Sequence, residues 1–461
     1  MPRAILRSRL LPPLAVRVSR PSAGAWSVLA LALAAAVLAV RPAEAQPREA
    51  TPYSPDSCVT EALISQDDVD GFKKKERAFK DALKEDRVSP GVRDRLTVGA
   101  DYYVYSLTLP DRRAEAVREI PDLIRQIDLF SRPATRDEIN ALLVEKLSEV
   151  LQQCEFATRL GAVTFLMQLN ETEYDAKTGT LPKPYWPAGP VLASVLENPD
   201  ETAAVKIAAA QGIGRLFTDG DPPANVEDDI FRRTVEVLRQ TLSGELPPVN
   251  AGKHADALVV ELIQTLGRYD APTNLRLEPI GVETLLEIFL DESQTDFVRA
   301  QALYAISTTP LYLDDRFQLE PLVTAQMRFA RRFLDRYNED PRYWSNRWVV
   351  AYLYLSFKPA TPEEAEEGHG WLAMTTPTKK QSSPFRSSGT YVQTALDTIK
   401  PVFQTVVGQR PLEQPKIEAA AIEAIDAWLT ENASDQPVHP AIGKLEFQSA
   451  PAEAAATAAA P

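Results

Sequence analysis

Apolar side chains recur along the chain with the period of an α-helix. In residues 202–217, TAAVKIAAAQGIGRLF, one helical face carries apolar residues three and four positions apart: Val205, Ala208, Ala209, Gly212, Ile213 and Leu216. Several of these side chains are very small, and small side chains let helix axes approach each other closely. The stretch therefore predicts a helix that is packed against neighbours on more than one side.

The same spacing returns at intervals further along the chain. It begins again in stretches that start at Thr158, Leu258, Val298, Asn346 and Ile417. An amphipathic segment precedes each stretch, Pro, Gly and Asn mark the joints, and no stretch alternates with the period of a strand. A pair of helices about every 40 to 50 residues predicts an all-α fold, an α-α superhelix of about six to seven helical hairpins.

Two segments carry a resemblance to a known family. NPDETAAVKIAAAQGIGRL and DESQTDFVRAQALYAIS resemble HEAT-like (armadillo-type) repeats of exported bacterial proteins. In that family an acidic residue precedes the second helix and a basic residue lies near its start, which Asp200 with Lys206, and Asp296 with Arg299, match. The resemblance implies a solenoid over residues 136–435 and ion pairs between neighbouring repeats. It implies no particular function, because such arrays have many.

The N-terminus has the pattern of an export signal. An arginine-rich leader precedes the apolar run 25–40, and Ala43 and Ala45 fit the small residues before a cleavage site at Gln46. The run is shorter than the roughly 20 residues that span a bilayer. We therefore expect export to the periplasm or cell envelope, with secretion, or an uncleaved N-terminal anchor, as alternatives. The predicted segments are a signal peptide (1–45), a flexible linker (46–59), an N-terminal helical cap (60–135), a HEAT-like repeat array (136–435) with an inserted loop (358–390), and a disordered Ala/Pro-rich tail (436–461).

The net charge excludes one class of ligand, and the cysteines allow a disulfide. The formal net charge of −14 argues against a general nucleic-acid binder, which needs a surplus of Lys and Arg. The two cysteines, Cys58 and Cys154, allow one pairing. Export favours a disulfide between them. Cys154 also ends an apolar helix face, so burial as a free thiol is the alternative.

Candidate chemistry is sparse. The chain has three histidines and lacks the HExxH, P-loop and GxSxG motifs. We expect no catalytic residue, no cofactor and no metal site. The alternative is a divalent-metal or carboxylate-based site in the insertion, where Glu363, Glu364, Glu366, Glu367 and His369 lie close together in sequence.

Arginine and aromatic residues are concentrated in residues 328–357. This combination is typical of surfaces that hold acidic peptides. The candidate partner-binding residues, with two from the insertion, are Arg328, Arg332, Arg336, Tyr343, Trp344, Arg347, Trp348, His369 and Trp371. The second interpretation is that they pack the joints between repeats. We predict an exported HEAT-repeat scaffold or protein-binding module without catalytic activity, with a protein or peptide ligand. The alternative is an envelope enzyme, or an accessory subunit of one, with its site near the insertion.

Overall fold

The fold is all-α, as the sequence predicts. The computed structural model describes residues 60–172, 179–246, 255–339, 344–359, 361–366, 368–376, 384–407 and 416–448. Within these ranges there is no strand, only isolated bridges. The chain divides into two compact units. Unit 1 is Met1–Asp221 with Pro248–Gly252, and unit 2 is Pro222–Pro247 with Lys253–Pro461.

Unit 1 is a succession of helices that pack on one another. The helices are α1 (Gln66–Leu83), α2 (Pro90–Tyr105), α3 (Arg113–Phe130), α4 (Pro133–Val150), α5 (Phe156–Leu166), α6 (Gly189–Glu197) and α7 (Ala203–Asp219). Helix α2 packs on α1 and α4, and α5 packs on α4 and α7. Helix α7 also packs on α6. Helix α7 therefore lies against two neighbours, as its small residues predict.

Local chemistry explains where these helices begin and how closely they pack. The side chains of Ser65 and Ser89 accept hydrogen bonds from backbone amides in the first turns of α1 and α2. On α7, Val205 and Ile213 are fully buried. A Cβ atom at Gly212 would come within 2.7 Å of Leu192 on α6. The small residues of this stretch therefore do permit close helix contact.

Unit 2 continues in the same manner. Its helices are α8 (Ala224–Ser243), α9 (Ala255–Gly267), α10 (Ile280–Leu290), α11 (Asp296–Thr308), α12 (Leu319–Glu339), α13 (Trp344–Leu355), α14 (Pro362–Glu366), α15 (Trp371–Thr375), α16 (Gly389–Val407) and α17 (Ala419–Asn432). Helices α9, α11, α13 and α16 pack each on the next, α10 packs on α8 and α11, and α12 packs on α16 and α17. This order suits stacked helix pairs. The superhelical array, and its predicted boundaries, stay predictions.

The structure describes residues 436–448, the first part of the predicted disordered tail (436–461), and we name these residues the C-terminal strap. The carbonyl of Val438 accepts a hydrogen bond from the amide of Gln318 at 2.8 Å. Gln448 donates to the carbonyl of Leu290 and accepts from the amide of Glu292, both at 3.1 Å. Val438 is fully buried, so the strap has an apolar anchor that a prediction based on Ala/Pro content misses. Residues 449–461 lie outside the described ranges.

The inserted segment 358–390 is also more than a loop. It contains α14 and α15, and Trp371 at the start of α15 is fully buried. The Trp371 indole nitrogen donates to the Gln326 side-chain oxygen on α12 at 2.6 Å. The insertion is therefore attached to unit 2 by a buried tryptophan.

The predicted signal peptide (1–45) and linker (46–59) lie outside the described residues. None of the described helices has the length and apolar character that a membrane span requires.

Candidate functional site

Three of the four candidate arginines lie on α12, and each of these three is paired with an acidic residue. Arg328 pairs with Asp435 at 3.0 Å, Arg332 pairs with Glu292, and Arg336 pairs with Asp296 at 2.6 Å. Arg331, on the same helix, adds pairs to Asp426 and Asp335.

The acidic partners of these arginines lie between α10 and α11, at the start of α11, on α12 and α17, and just after α17. The cluster therefore joins α12 to its neighbours, and its charge is balanced within the chain. This placement favours the second interpretation, in which the arginines pack the joints between repeats, over the binding of an acidic peptide.

The two aromatic candidates whose side chains the structure describes, Trp348 and Trp371, are not exposed. Trp371 is fully buried and so is part of the core. Trp348 is half-buried, with its ring 6.2 Å from that of Tyr352. Tyr343 and the side chain of Trp344 lie outside the described residues.

The remaining candidates, Arg347 and His369, make hydrogen bonds within unit 2. Arg347 donates a hydrogen bond to the carbonyl of Val407 at 2.9 Å, which links α13 to α16. The amide of His369 donates to the carbonyl of Glu364 at 2.9 Å. Cys154 is disulfide-bonded, and the other cysteine, Cys58, lies outside the described residues.

The alternative carboxylate site in the insertion is described only in part. Glu364 is buried and helps to cap α14. Its side chain accepts a hydrogen bond from the Thr361 amide at 3.2 Å, and the Thr361 hydroxyl accepts one from the Glu364 amide. Glu366 is exposed, and the side chains of Glu363 and Glu367 lie outside the described residues. Within the described ranges, no three or more His, Cys, Asp or Glu side chains are arranged to hold a metal ion.

The resemblance implies ion pairs between neighbouring repeats, and charged residues lie near the starts of α7 and α11. Arg159 on α5 forms a buried ion pair with Glu201, just before α7, at 3.0 Å. Asp200 is exposed, and the Lys206 ammonium makes no hydrogen bond with any described residue. Burial lowers the pKa of Lys206 to about 8, although the nearby Glu201 carboxylate acts in the opposite direction. The acid that forms an ion pair at the start of α7 is therefore Glu201, not Asp200, and its partner lies on α5. The pairing of charges between neighbouring repeats stays a prediction.

Asp296 and Arg299, the second match to the family's residue pattern, both lie on α11. Asp296 lies 3.5 Å from Arg299 on its own helix and also binds Arg336 of α12. The acid thus connects α11 with the next long helix, and its role is structural.

A different part of unit 2 has the features of a binding surface. Two loops, after α9 and after α11, border a cleft of about 600 Å³ that we name the leucine-rimmed cleft. The residues that line it are Thr273, Leu277, Tyr312, Leu313, Asp314, Asp315, Arg316 and Pro384. Leu277 is 66% exposed and Leu313 is 54% exposed, and Leu275 in the first loop is 59% exposed. A group of exposed apolar side chains around a cleft is typical of an interaction site.

The backbone of the first loop is held in an unusual conformation. Leu277 has φ +64, the only positive φ outside glycine among the described residues. This conformation costs a leucine about 1–2 kcal/mol. Asn274 stabilises the loop: its carbonyl accepts from the Leu277 amide at 3.0 Å, and its side-chain oxygen accepts from the amides of Arg276 and Glu278. Such strain at an exposed apolar residue points to a function for the loop.

Polar groups lie beside the leucines. Arg316 binds Asp314 through two nitrogens, at 2.9 and 2.6 Å, and donates to the Leu277 carbonyl at 3.2 Å. Its hydrogen bonds hold the pKa of Asp314 below the usual value. Asp315 is exposed, and its carboxylate interacts electrostatically with the neighbouring Arg316. The lining therefore offers apolar surface and an exposed carboxylate beside a guanidinium.

The sequence pattern does not predict this cleft, because the prediction of a binding surface is based on arginines and aromatic residues. The available signal is the pattern of TNLRLEPI, in which two leucines stand in a segment that has no helical period. An apolar residue in a connecting loop has no helix face on which to be buried.

Comparison with known proteins gave no relative. No family model matches the chain, and no curated protein or solved structure matches it either.

Proposed function

We propose that this chain is an exported helical-repeat module of the cell envelope that binds a protein ligand through the leucine-rimmed cleft. The observation that carries the proposal is the exposure of Leu277 and Leu313, which both line one cleft, with Leu277 held in a strained backbone conformation. The export signal and the HEAT-like repeats enter the proposal from the sequence. The role we propose is that of a scaffold without catalysis, as the sequence predicts.

The lining also indicates the chemistry of the ligand. Burying a leucine side chain stabilises a complex by about 2 kcal/mol, so the rim favours apolar side chains. Asp315 favours a Lys or Arg beside them, since a carboxylate at the edge of an apolar site attracts a cation. The ligand we propose is an extended segment with apolar residues and at least one basic residue.

Selection from a display library of random peptides tests the proposal directly, because such a library samples many sequences at once. The selection is run on the full chain and on a Leu277→Ser/Leu313→Ser variant. We expect the wild-type chain to select peptides rich in Leu, Ile or Phe with Lys or Arg. The variant should not retain them.

Leu181→Ser is the matched control, since Leu181 is a 48% exposed leucine of unit 1. It should retain the selected peptides. Peptides that bind the cleft variant as well as they bind wild type would contradict the proposal. The same conclusion follows if selection yields no sequence preference.

A further inference from the structure

The C-terminal strap occupies unit 2 in the manner of a bound peptide. The backbone of Gln448 hydrogen-bonds to the backbone of Leu290 and of Glu292, at the end of α10 and just after it. The carbonyl of Val438 accepts a hydrogen bond from the amide of Gln318, just before α12. The strap contains no helix, and the chain turns between His439 and Gly443. Extended backbone pairing, with side chains in separate pockets, is a common mode of peptide recognition.

Phe447 is the principal side-chain contact near the end of the strap. Its ring lies 5.9 Å from the ring of Phe289 on α10 in an edge-on arrangement. The guanidinium of Arg332 lies 4.4 Å from the Phe447 ring, and that of Arg299 lies 5.5 Å from it. One aromatic ring is thus held between α10, α11 and α12. Arginines over an aromatic ring select for an aromatic residue at this place.

The end of the strap is incompletely buried. Phe447 is half-buried, while Glu446 and Gln448 are exposed. Beside them is a cleft of about 330 Å³ lined by residues of α12 and of the strap, including Arg328, Lys444 and Glu446. A segment held by few buried groups opens more easily than the helices around it. The cleft lies beside Lys444, Leu445 and Glu446, the residues that lead to Phe447.

We propose that the surface between α10 and α12 is a peptide-binding groove, which the chain occupies with its own residues 444–448. The ligand that replaces them is an extended partner segment in which an acidic residue precedes an aromatic one, as Glu446 precedes Phe447. The partner's aromatic ring takes the place between Phe289 and the two arginines, and its backbone pairs with Leu290 and Glu292. This groove is separate from the leucine-rimmed cleft, and the proposal does not depend on that site.

Binding of a fluorescent peptide with the sequence of residues 436–448 tests the groove in the full chain. The wild-type strap competes with the peptide, whereas Phe447→Ala weakens that competition. We expect the Phe447→Ala chain to bind the peptide about tenfold more tightly than wild type. Adding Arg332→Ala should abolish this binding. Adding Arg239→Ala should not, because Arg239 on α8 forms a similarly exposed ion pair with a different residue, Glu283 of α10.

Hydrogen exchange at two adjacent amides reports whether the strap has opened. The amide of Glu292 donates to the strap, and that of Asp291 donates to the carbonyl of Glu287 on α10. In Phe447→Ala we expect the Glu292 amide to exchange faster while the Asp291 amide is unchanged. Peptide addition should restore protection at Glu292.

Several outcomes would overturn the proposal. An opened strap without tighter peptide binding would show that the groove recognises no free peptide. Unchanged Glu292 exchange in Phe447→Ala and in Leu445→Ala/Phe447→Ala would show that the strap is a fixed part of the fold. A concentration-dependent dimer that Phe447→Ala abolishes would assign the groove to the strap of a second copy.

Discussion

Lys206 is a residue of unit 1 whose burial the sequence pattern does not predict. The sequence predicts that residues beside it in α7 face the core, and Val205 and Ala209 are fully buried. It does not predict that Lys206 is buried too, with an ammonium that lacks a hydrogen bond among the described residues. Neither acid before α7 makes a hydrogen bond with it, since Asp200 is exposed and Glu201 pairs with Arg159. A spacing pattern identifies the face of a helix but not which of two adjacent acids, Asp200 or Glu201, points inward.

Replacing Lys206 with Met should stabilise the protein near neutral pH. Burial lowers the Lys206 pKa to about 8, against an ordinary value of 10.5. The buried lysine therefore opposes folding most when it is charged, below pH 8. Its contribution to stability improves as pH rises from about 8 towards 10.5. We expect Lys206→Met to raise the free energy of unfolding by on the order of 1–3 kcal/mol at pH 7.

Denaturant unfolding of wild type and Lys206→Met, from pH 7 to pH 10, measures this difference. The gain should shrink as the pH rises. The exposed Lys75→Met serves as the control and should show no such trend. A gain that is absent at pH 7, or that grows with pH, would contradict the assignment.

The ion pair between Arg159 and Glu201 should be important for the stability of unit 1. Both side chains are 3% exposed or less, and Glu201 also accepts from the Thr202 amide at 2.8 Å. Glu201→Ala would leave the Arg159 guanidinium buried without its counter-charge, at a cost of about 3–5 kcal/mol. Thermal unfolding checks this. The exposed neighbour Asp200→Asn should change the melting temperature little, and equal effects of the two substitutions would contradict the role of the pair.

At the scale of elements, helix positions follow from the sequence and their contacts do not. The amphipathic pattern predicts α12, but the acids that pair with its arginines come from distant segments at Glu292, Asp426 and Asp435. Composition alone assigns the insertion to a loop and the strap to a disordered tail. The insertion is held by buried side chains that include Trp371, Met374 and Phe385, and the strap is held by Val438 and His439. A composition average cannot detect such scattered anchors.

Substituting the anchor of the insertion should loosen α15. Trp371→Phe keeps an aromatic ring but removes the hydrogen bond to Gln326, so a buried acceptor is left unsatisfied. We expect a loss of about 1–3 kcal/mol in the free energy of unfolding, with faster hydrogen exchange in residues 371–375. Trp348→Phe on α13 is the matched control, because Trp348 is half-buried and its indole makes no hydrogen bond within the described residues. Equal losses for the two variants would show that the hydrogen bond is not what holds α15.

At the scale of the whole molecule, the sequence predicts the all-α class because helical periodicity repeats throughout the described chain. It does not predict a division at Asp221, or the place of the proposed binding surface. The leucine-rimmed cleft depends on two loops whose conformation is set by Asn274, Asp314 and Arg316, which bring distant residues together. The arginine cluster that composition singles out is instead used within the fold. Local patterns thus identify repeated helices more readily than the loops between them.

The central claim is that the leucine-rimmed cleft binds a partner segment. Calorimetric titration of one selected peptide into wild type, Leu277→Ser, Leu313→Ser and the control Leu181→Ser tests it most directly. We predict that each cleft substitution weakens binding by about tenfold or more, because each removes about 1.4 kcal/mol or more of apolar burial, and that Leu181→Ser binds as wild type does. Equal affinities for all four proteins would contradict it.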